Sequence, residues 1–184
     1  MDLARILLAM AALSPLLGAA DNPKVAALAK AGHWQASGWA AHGPMLGKPA
    51  PLLELTGWVG GEVPPEARKG KILLLDFWAT WCGPCIAAIP HNNALAKHYA
   101  AKGVLVLGLC GSGRGEEKMP YYAQLLQLGY PTAWVSAAST KAWNVQWWPT
   151  YAIVDRAGVL RATGLQPDFV ERVLDALLEE QPGP

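Results

Sequence analysis

Cysteine is scarce in this chain. Only three cysteines occur in 184 residues, and an odd number cannot all pair within one molecule. A fold stapled by a disulfide framework is therefore excluded. Charge is sparse as well. Charged residues make up 16%, and 15 Lys+Arg against 14 Asp+Glu leave a formal net charge of +1. That balance indicates neither a nucleic-acid-binding surface nor a strongly anionic partner. No charge run, low-complexity tract or internal repeat is present. The four histidines (His33, His42, His91 and His98) have no metal-ligand spacing. They read as structural or surface residues, and no metal site is expected. Tryptophan is the exception to this sparseness. Nine tryptophans are many for the length, and most are expected in the core and in a groove.

Ile6 to Leu17 is apolar, but it is short and broken by Ser14-Pro15, too little for a good transmembrane span. With Gly18-Ala19-Ala20 before Asp21 it reads as a secretory signal over residues 1–20. Arg5 is its only basic side chain, offset by Asp2. An uncleaved anchor is the alternative. No cysteine follows the stretch, so a lipoprotein anchor is not expected. Export to the envelope would put the cysteines in an oxidising compartment. There the pattern reads as a catalytic pair plus one spare.

That pair is Trp81-Cys82-Gly83-Pro84-Cys85. A β-like run, Ile72 to Trp78, precedes it, and a helix-like run from Ile86 to about Lys102 follows. A strand that delivers Cys-x-x-Cys into a helix N-terminus is a redox arrangement. The spacing puts both sulfurs on one helix face, close enough for a disulfide. Free N–H groups and the dipole of the first turn stabilise a thiolate there, the species that attacks disulfides. Cys82, at the helix end, is expected to be exposed and to act as the nucleophile. Cys85, one turn inside, is expected to be shielded and to resolve the mixed disulfide. A zinc half-site would need two further ligands, and no second CxxC or CxxH supplies them.

The spacing of apolar residues and breakers predicts the remaining order. Asn22, Pro23 and Gly32 suit the cap, first turn and end of a short helix over 24–31. His33 to Pro44 reads as an irregular arm, and Leu52 to Val59 as a small strand or hairpin. Lys71–Phe77 and Val104–Cys110 are continuous apolar strands of the kind buried on both faces. A helix over 83–101, ended by Gly103, lies between them. A helix over 117–128 follows, with Pro120 in its first turn. Next come a strand over 132–135, a turn or two of helix over 139–144, and a hairpin of strands 151–154 and 159–163. An amphipathic helix over 168–180 ends the chain.

In four stretches the chain resembles the thioredoxin superfamily, and within it the TlpA/ResA-like thiol-disulfide oxidoreductases of bacterial envelopes. They are Gly47-Lys48-Pro49-Ala50-Pro51, the block Asp76 to Cys85, Pro90 five residues past Cys85, and Trp148 to Asp155. The resemblance runs from about Gly47 to about Glu180. It implies an α/β, three-layer thioredoxin-like fold. Its mixed central sheet would carry a strand-helix insert after the first βαβ unit, at roughly 111–142. The thioredoxin-like domain would span 47–184, preceded by a helix and arm over 21–46. Gly83-Pro84 is the dipeptide of thioredoxins themselves and implies a reductant. Strong oxidants often carry a His in this gap, and none lies here. Asp76 matches a buried aspartate beneath the cysteine pair. Burial would raise its pKa and suit it to accept a proton from Cys85; the alternative is a satisfied strand-end residue. Pro149 is implied to be cis beside the sulfurs. The Trp148 backbone would then bond an extended substrate segment, with Trp81, Gly83, Pro84 and Pro149 lining the same groove. Ile86 and Ala88 stand where many relatives carry a basic and an acidic residue.

Beyond the Cys82–Cys85 couple no cofactor is implied. The partners implied are disulfide-containing proteins such as apocytochrome c and a membrane thiol carrier as electron donor, with the chain itself a periplasmic monomer. The residues argue against two other functions. A thiol peroxidase would carry a lone cysteine in a different setting, and a copper carrier a wider cysteine spacing with a distal histidine. Cys110 reads as a small buried hydrophobe, with a third relay thiol or an oxidation sensor as alternatives.

Overall fold

The computed structural model describes residues 22–180; the expected signal over 1–20 lies outside them. Two helices come first, α1 (Pro23–Ala31) and α2 (Ala36–His42). Then follow β1 (Leu55–Val59), α3 (Pro65–Arg68), β2 (Ile72–Trp78), α4 (Gly83–Tyr99), β3 (Val104–Cys110) and α5 (Met119–Leu125). The chain ends with β4 (Thr132–Val135), α6 (Ala137–Ala142), β5 (Thr150–Val154), β6 (Leu160–Leu165) and α7 (Pro167–Glu179). The strands form one sheet in the order β1-β4-β3-β2-β5-β6. β2, β3 and β4 are parallel, while β5 runs antiparallel to β2 and to β6, and β1 antiparallel to β4. The βαβ unit β2-α4-β3 lies at the centre, and the insert adds α5, β4 and α6 beside it. This is the mixed α/β, thioredoxin-like architecture that the resemblance implied.

Side chains alternate along β2 between two cores. Ile72 and Leu74 pack with Leu95 and Tyr99 of α4, Val25 and Ala29 of α1, and Val170, Val173 and Leu174 of α7. Leu75 and Phe77 face the other way, against Trp143, Leu107 and Leu109, with Leu53 and Leu55 outside them. Asp76 and Trp78 continue the first face, and this is how the sheet aims them at α4. Gly108 of β3 makes room for the Trp78 indole. A Cβ at Gly108 would lie 2.6 Å from Thr132 Oγ1, the atom to which Trp78 Nε1 donates at 3.0 Å.

The sequence expectations needed two corrections. The stretch over 33–44 is not irregular. It holds α2 and a 3-10 turn at Gly43–Met45. α2 has only seven residues and its N-cap, Gln35, makes no side-chain cap bond. Local signals therefore fall short, and packing stabilises it. Of the small strand or hairpin expected over 52–59, the strand forms: β1 covers Leu55–Val59 and pairs with β4. The helix expected over 117–128 is shorter. A 3-10 turn, Glu116–Lys118, leads into α5. Leu126 N–H then returns to Tyr122 O, and Gln127 takes a left-handed φ of 52°.

The N-terminal segment is docked on the sheet. Trp34 N–H donates to Gly164 O and Gln166 N–H to Gly32 O, both at 2.8 Å. His33 and His42 are buried and stacked edge-on or tilted against Trp147. His33 Nε2 lies 2.8 Å from His42 Nδ1, and His42 Nε2 lies 2.9 Å from Asn144 O. Gly164, at φ 68°, leaves the space; a Cβ there would sit 2.6 Å from His33 Nε2. Burial pushes both rings below the ordinary histidine value of 6.5, and for His33 the neighbouring His42 adds to it. Lowered rings bind fewer protons folded than unfolded. Their contribution is full above pH 6.5 and is lost as the pH falls below it. The stability advantage of the wild type over H42Q should therefore shrink as the pH falls below 6.5. Chemical denaturation at several pH values measures it, and a constant difference would count against the pair.

Candidate active site

β2 ends at Trp78, and a short turn brings Cys82 to the N-cap of α4. Cys82 takes an extended conformation there, and its Sγ accepts the Cys85 N–H at 3.1 Å. Cys82 and Cys85 are joined as a disulfide, with Cα atoms 5.3 Å apart. Pro84 occupies the first turn of α4, where a missing N–H leaves no gap. Cys85, Ile89 and Asn92 share the buried face of the helix. Pro90 lies within α4 on its exposed side.

Cys82 is less accessible than expected. It is 4% exposed against 2% for Cys85. The pair sits in a small cluster with Trp78, Ala79, Cys110 and Met119, and Trp148 packs against it. Trp81, beside this cluster in sequence, is 46% exposed. Its Nε1 donates to Ser112 Oγ at 2.9 Å, and the Arg114 guanidinium lies 4.4 Å from its ring centroid. Trp81 and Trp148 face each other edge-on, with centroids 5.9 Å apart. Trp148 Nε1 donates to Gly111 O at 3.2 Å. The Trp148-Pro149 peptide is cis. Trp81, Cys82, Cys85, Trp148 and Pro149 are thus gathered at one end of the sheet, with Gly83 and Pro84 exposed on the helix turn above.

The loop after β3 frames one side. Thr80 Oγ1 donates to Gly115 O at 2.8 Å. Glu116 accepts N–H bonds from Ser112, Gly113 and Arg114. Burial opposes its charge, but those N–H groups win and hold its carboxyl below the usual range. A cleft of about 390 Å³ opens between this loop, α6 and Trp148, with Thr140, Lys141 and Asn144 on its walls. A second cleft, of about 310 Å³, lies at the other end of the sheet around Lys71 and Gly158 and shares no residue with the site.

Asp76 lies on the α4 face of β2, against Asn92 of that helix. It is 2% exposed, and no hydrogen bond links it to either sulfur. Burial pushes its carboxyl up to about 7, against the opposing pull of bonds from Tyr130 and Asn92. The sequence did not single out Asn92, Tyr130 or Tyr151. The one available signal was that Asn92 falls two turns along the same helix face as Cys85. Cys110 pairs in register with Trp78 and is buried as a free thiol. Burial, followed by the Glu116 charge, pushes it up to about 12. At neutral pH it is a protonated apolar side chain.

Residues 45–178 match the redoxin family. The chain belongs to that family, as a TlpA/ResA-like member of the thioredoxin superfamily, and it is a thiol-disulfide oxidoreductase. It is 32% identical over 116 residues to the thioredoxin-like protein YneN of Bacillus subtilis, spanning 62% of this chain and 68% of that one. It is 29% identical over 139 residues to the thiol-disulfide oxidoreductase ResA of Bacillus cereus, spanning 74% and 73%. Among solved structures, a Chlorobium tepidum chain assigned as the thiol:disulfide interchange protein DsbE superposes with a TM-score of 0.61. That match has 26% identity and covers 71% of this chain and 95% of the other.

Proposed function

We propose that the protein is an exported disulfide reductase of the cell envelope, acting on disulfide-containing proteins and serving envelope redox balance or cytochrome c maturation. The reduced Cys82 thiolate attacks one sulfur of a substrate disulfide. A mixed disulfide forms and one substrate thiolate leaves. Cys85 then gives its proton to Asp76 and attacks Cys82 Sγ. The Cys82–Cys85 bond forms and the second substrate thiolate leaves, so two electrons pass to substrate. A membrane thiol-transfer protein returns them by the reverse exchange. The substrate segment lies extended along the Trp148 backbone, between the two indoles.

The observation that carries this reading is the CxxC pair at the head of α4 with no cation between its cysteines. The first-turn N–H groups favour thiolate at Cys82. Without a histidine in the gap, the dithiol lacks the feature that makes strong oxidants. The relative named as the thiol-disulfide oxidoreductase ResA supports thiol exchange as the chemistry. Equilibration of the couple with dithiothreitol or glutathione, followed by thiol trapping, tests the direction. A potential near about −270 mV is expected. A value near about −120 mV would make the protein an oxidant instead.

A further inference from the structure

The Asp76 carboxyl is bonded on one oxygen only. Oδ2 accepts from Asn92 Nδ2 and from the Tyr130 hydroxyl, both at 3.0 Å. Oδ1 is buried and has no partner. Asn92 is braced in turn. The Tyr151 hydroxyl lies 3.2 Å from its Nδ2 and 3.4 Å from its Oδ1. An sp² oxygen offers two lone-pair directions, and both on Oδ2 are occupied. A proton arriving at Oδ2 would have to displace a buried donor and leave it unpaired, which is costly. At Oδ1 it displaces nothing.

We propose that Asn92 and Tyr130 are positioning residues that confine the proton of Asp76 to Oδ1 and set the pH at which it is exchanged, with Tyr151 holding Asn92 in place. This rests on the reading of Asp76 as the proton acceptor for Cys85. The titratable groups that face Asp76 are the Tyr130 and Tyr151 phenols and the Cys110 thiol on β3; the cysteine pair stands two turns along α4 from Asn92. Burial, and after it the Asp76 charge, hold both phenols protonated. Among the described residues no lysine, arginine or histidine pairs with Asp76. Its charged form is therefore stabilised by two neutral donors alone, and each matters.

The test is the pH profile of disulfide reduction by the full chain from pH 5 to 9. Alongside it, the Asp76 carboxyl is titrated by infrared difference spectroscopy against D76N. Y130F removes one donor from the carboxylate and should move the Asp76 titration, and the matching limb of the rate profile, up by about one to two pH units. N92A should move both in the same direction, and Y151F, which touches only Asn92, by less. If Asp76 titrates in Y130F and N92A where it does in the wild type, the inference is wrong. If D76N keeps the limb while Y130F still moves the infrared titration, the positioning holds and Asp76 is not the acceptor.

Discussion

A Cys85→Ser variant is expected to stop after the first half of the reaction and to accumulate as a mixed disulfide with its substrate. Cys82, at the N-cap of α4, still attacks. Resolution then depends on a thiol from solution rather than one held a single helix turn away. Intramolecular attack of this kind carries effective molarities of about 10⁵ M or more, and millimolar external thiol cannot replace it. Turnover should fall by at least about 10³-fold, with a covalent adduct visible on non-reducing gels and released by dithiothreitol. Cys82→Ser should lose as much activity and trap nothing, because the attacking sulfur itself is gone. Cys110→Ala should keep turnover near the wild-type level, since its protonated thiol sits in an apolar cluster. Wild-type turnover by Cys85→Ser would mean that Cys85 is not the resolving thiol.

The largest loss of stability is expected at Arg161, far from the chemistry. Its side chain on β6 is 2% exposed. Nη1 donates to Asp155 Oδ2 and to Glu180 Oε2, both at 3.0 Å, and Nη2 to Glu180 Oε1 at 2.9 Å. Asp155 also closes the β5–β6 turn, for its Oδ1 accepts the Ala157 and Val159 N–H groups at 2.9 Å. Arg161→Met keeps the apolar stem but leaves a buried carboxylate without its cation. Breaking a buried pair in this way costs about 3–5 kcal/mol, which for a domain of this size lowers the melting midpoint by roughly 10 °C. Arg161→Lys should recover little, because a single ammonium cannot fork to two carboxylates. Glu180→Gln should cost less, as Glu180 is only partly buried and Arg161 keeps Asp155. A loss below about 1 kcal/mol in Arg161→Met would mean that the arrangement behaves like a surface ion pair.

Much of the fold was legible because its signals are local. The runs Lys71–Phe77 and Val104–Cys110 are apolar at every position, which marks central parallel strands. Asn22, Pro23 and Gly32 bracket α1 through their own capping chemistry. The stripe on α7 has helical period. The catalytic block is legible for the same reason: five consecutive residues carry the chemistry, and the strand before and helix after supply its context.

The misreadings fall where structure depends on distant partners. α2 has no cap of its own and forms against Trp147. Leu52 to Val59 leaves strand and hairpin open until β4 is seen beside β1. Glu116 locks the loop after β3 by accepting N–H groups of Ser112, Gly113 and Arg114, and Trp148 packs on the cluster that buries Cys82, a residue the sequence led us to expect in solvent.

The sequence by itself determined the class of reaction, since two cysteines at a helix N-terminus make a thiol exchange site wherever the local chain folds that way. It determined the order of the central strands and helices, written in continuous apolar runs and, for α7, in a period of 3.6 residues. Only the tertiary structure decided what surrounds Asp76. Asn92 and Tyr130 reach it from 16 and 54 residues away. Residues that far apart meet only through sheet register and helix docking, and the depth of that burial, with the donors it supplies, controls where the carboxyl holds its proton.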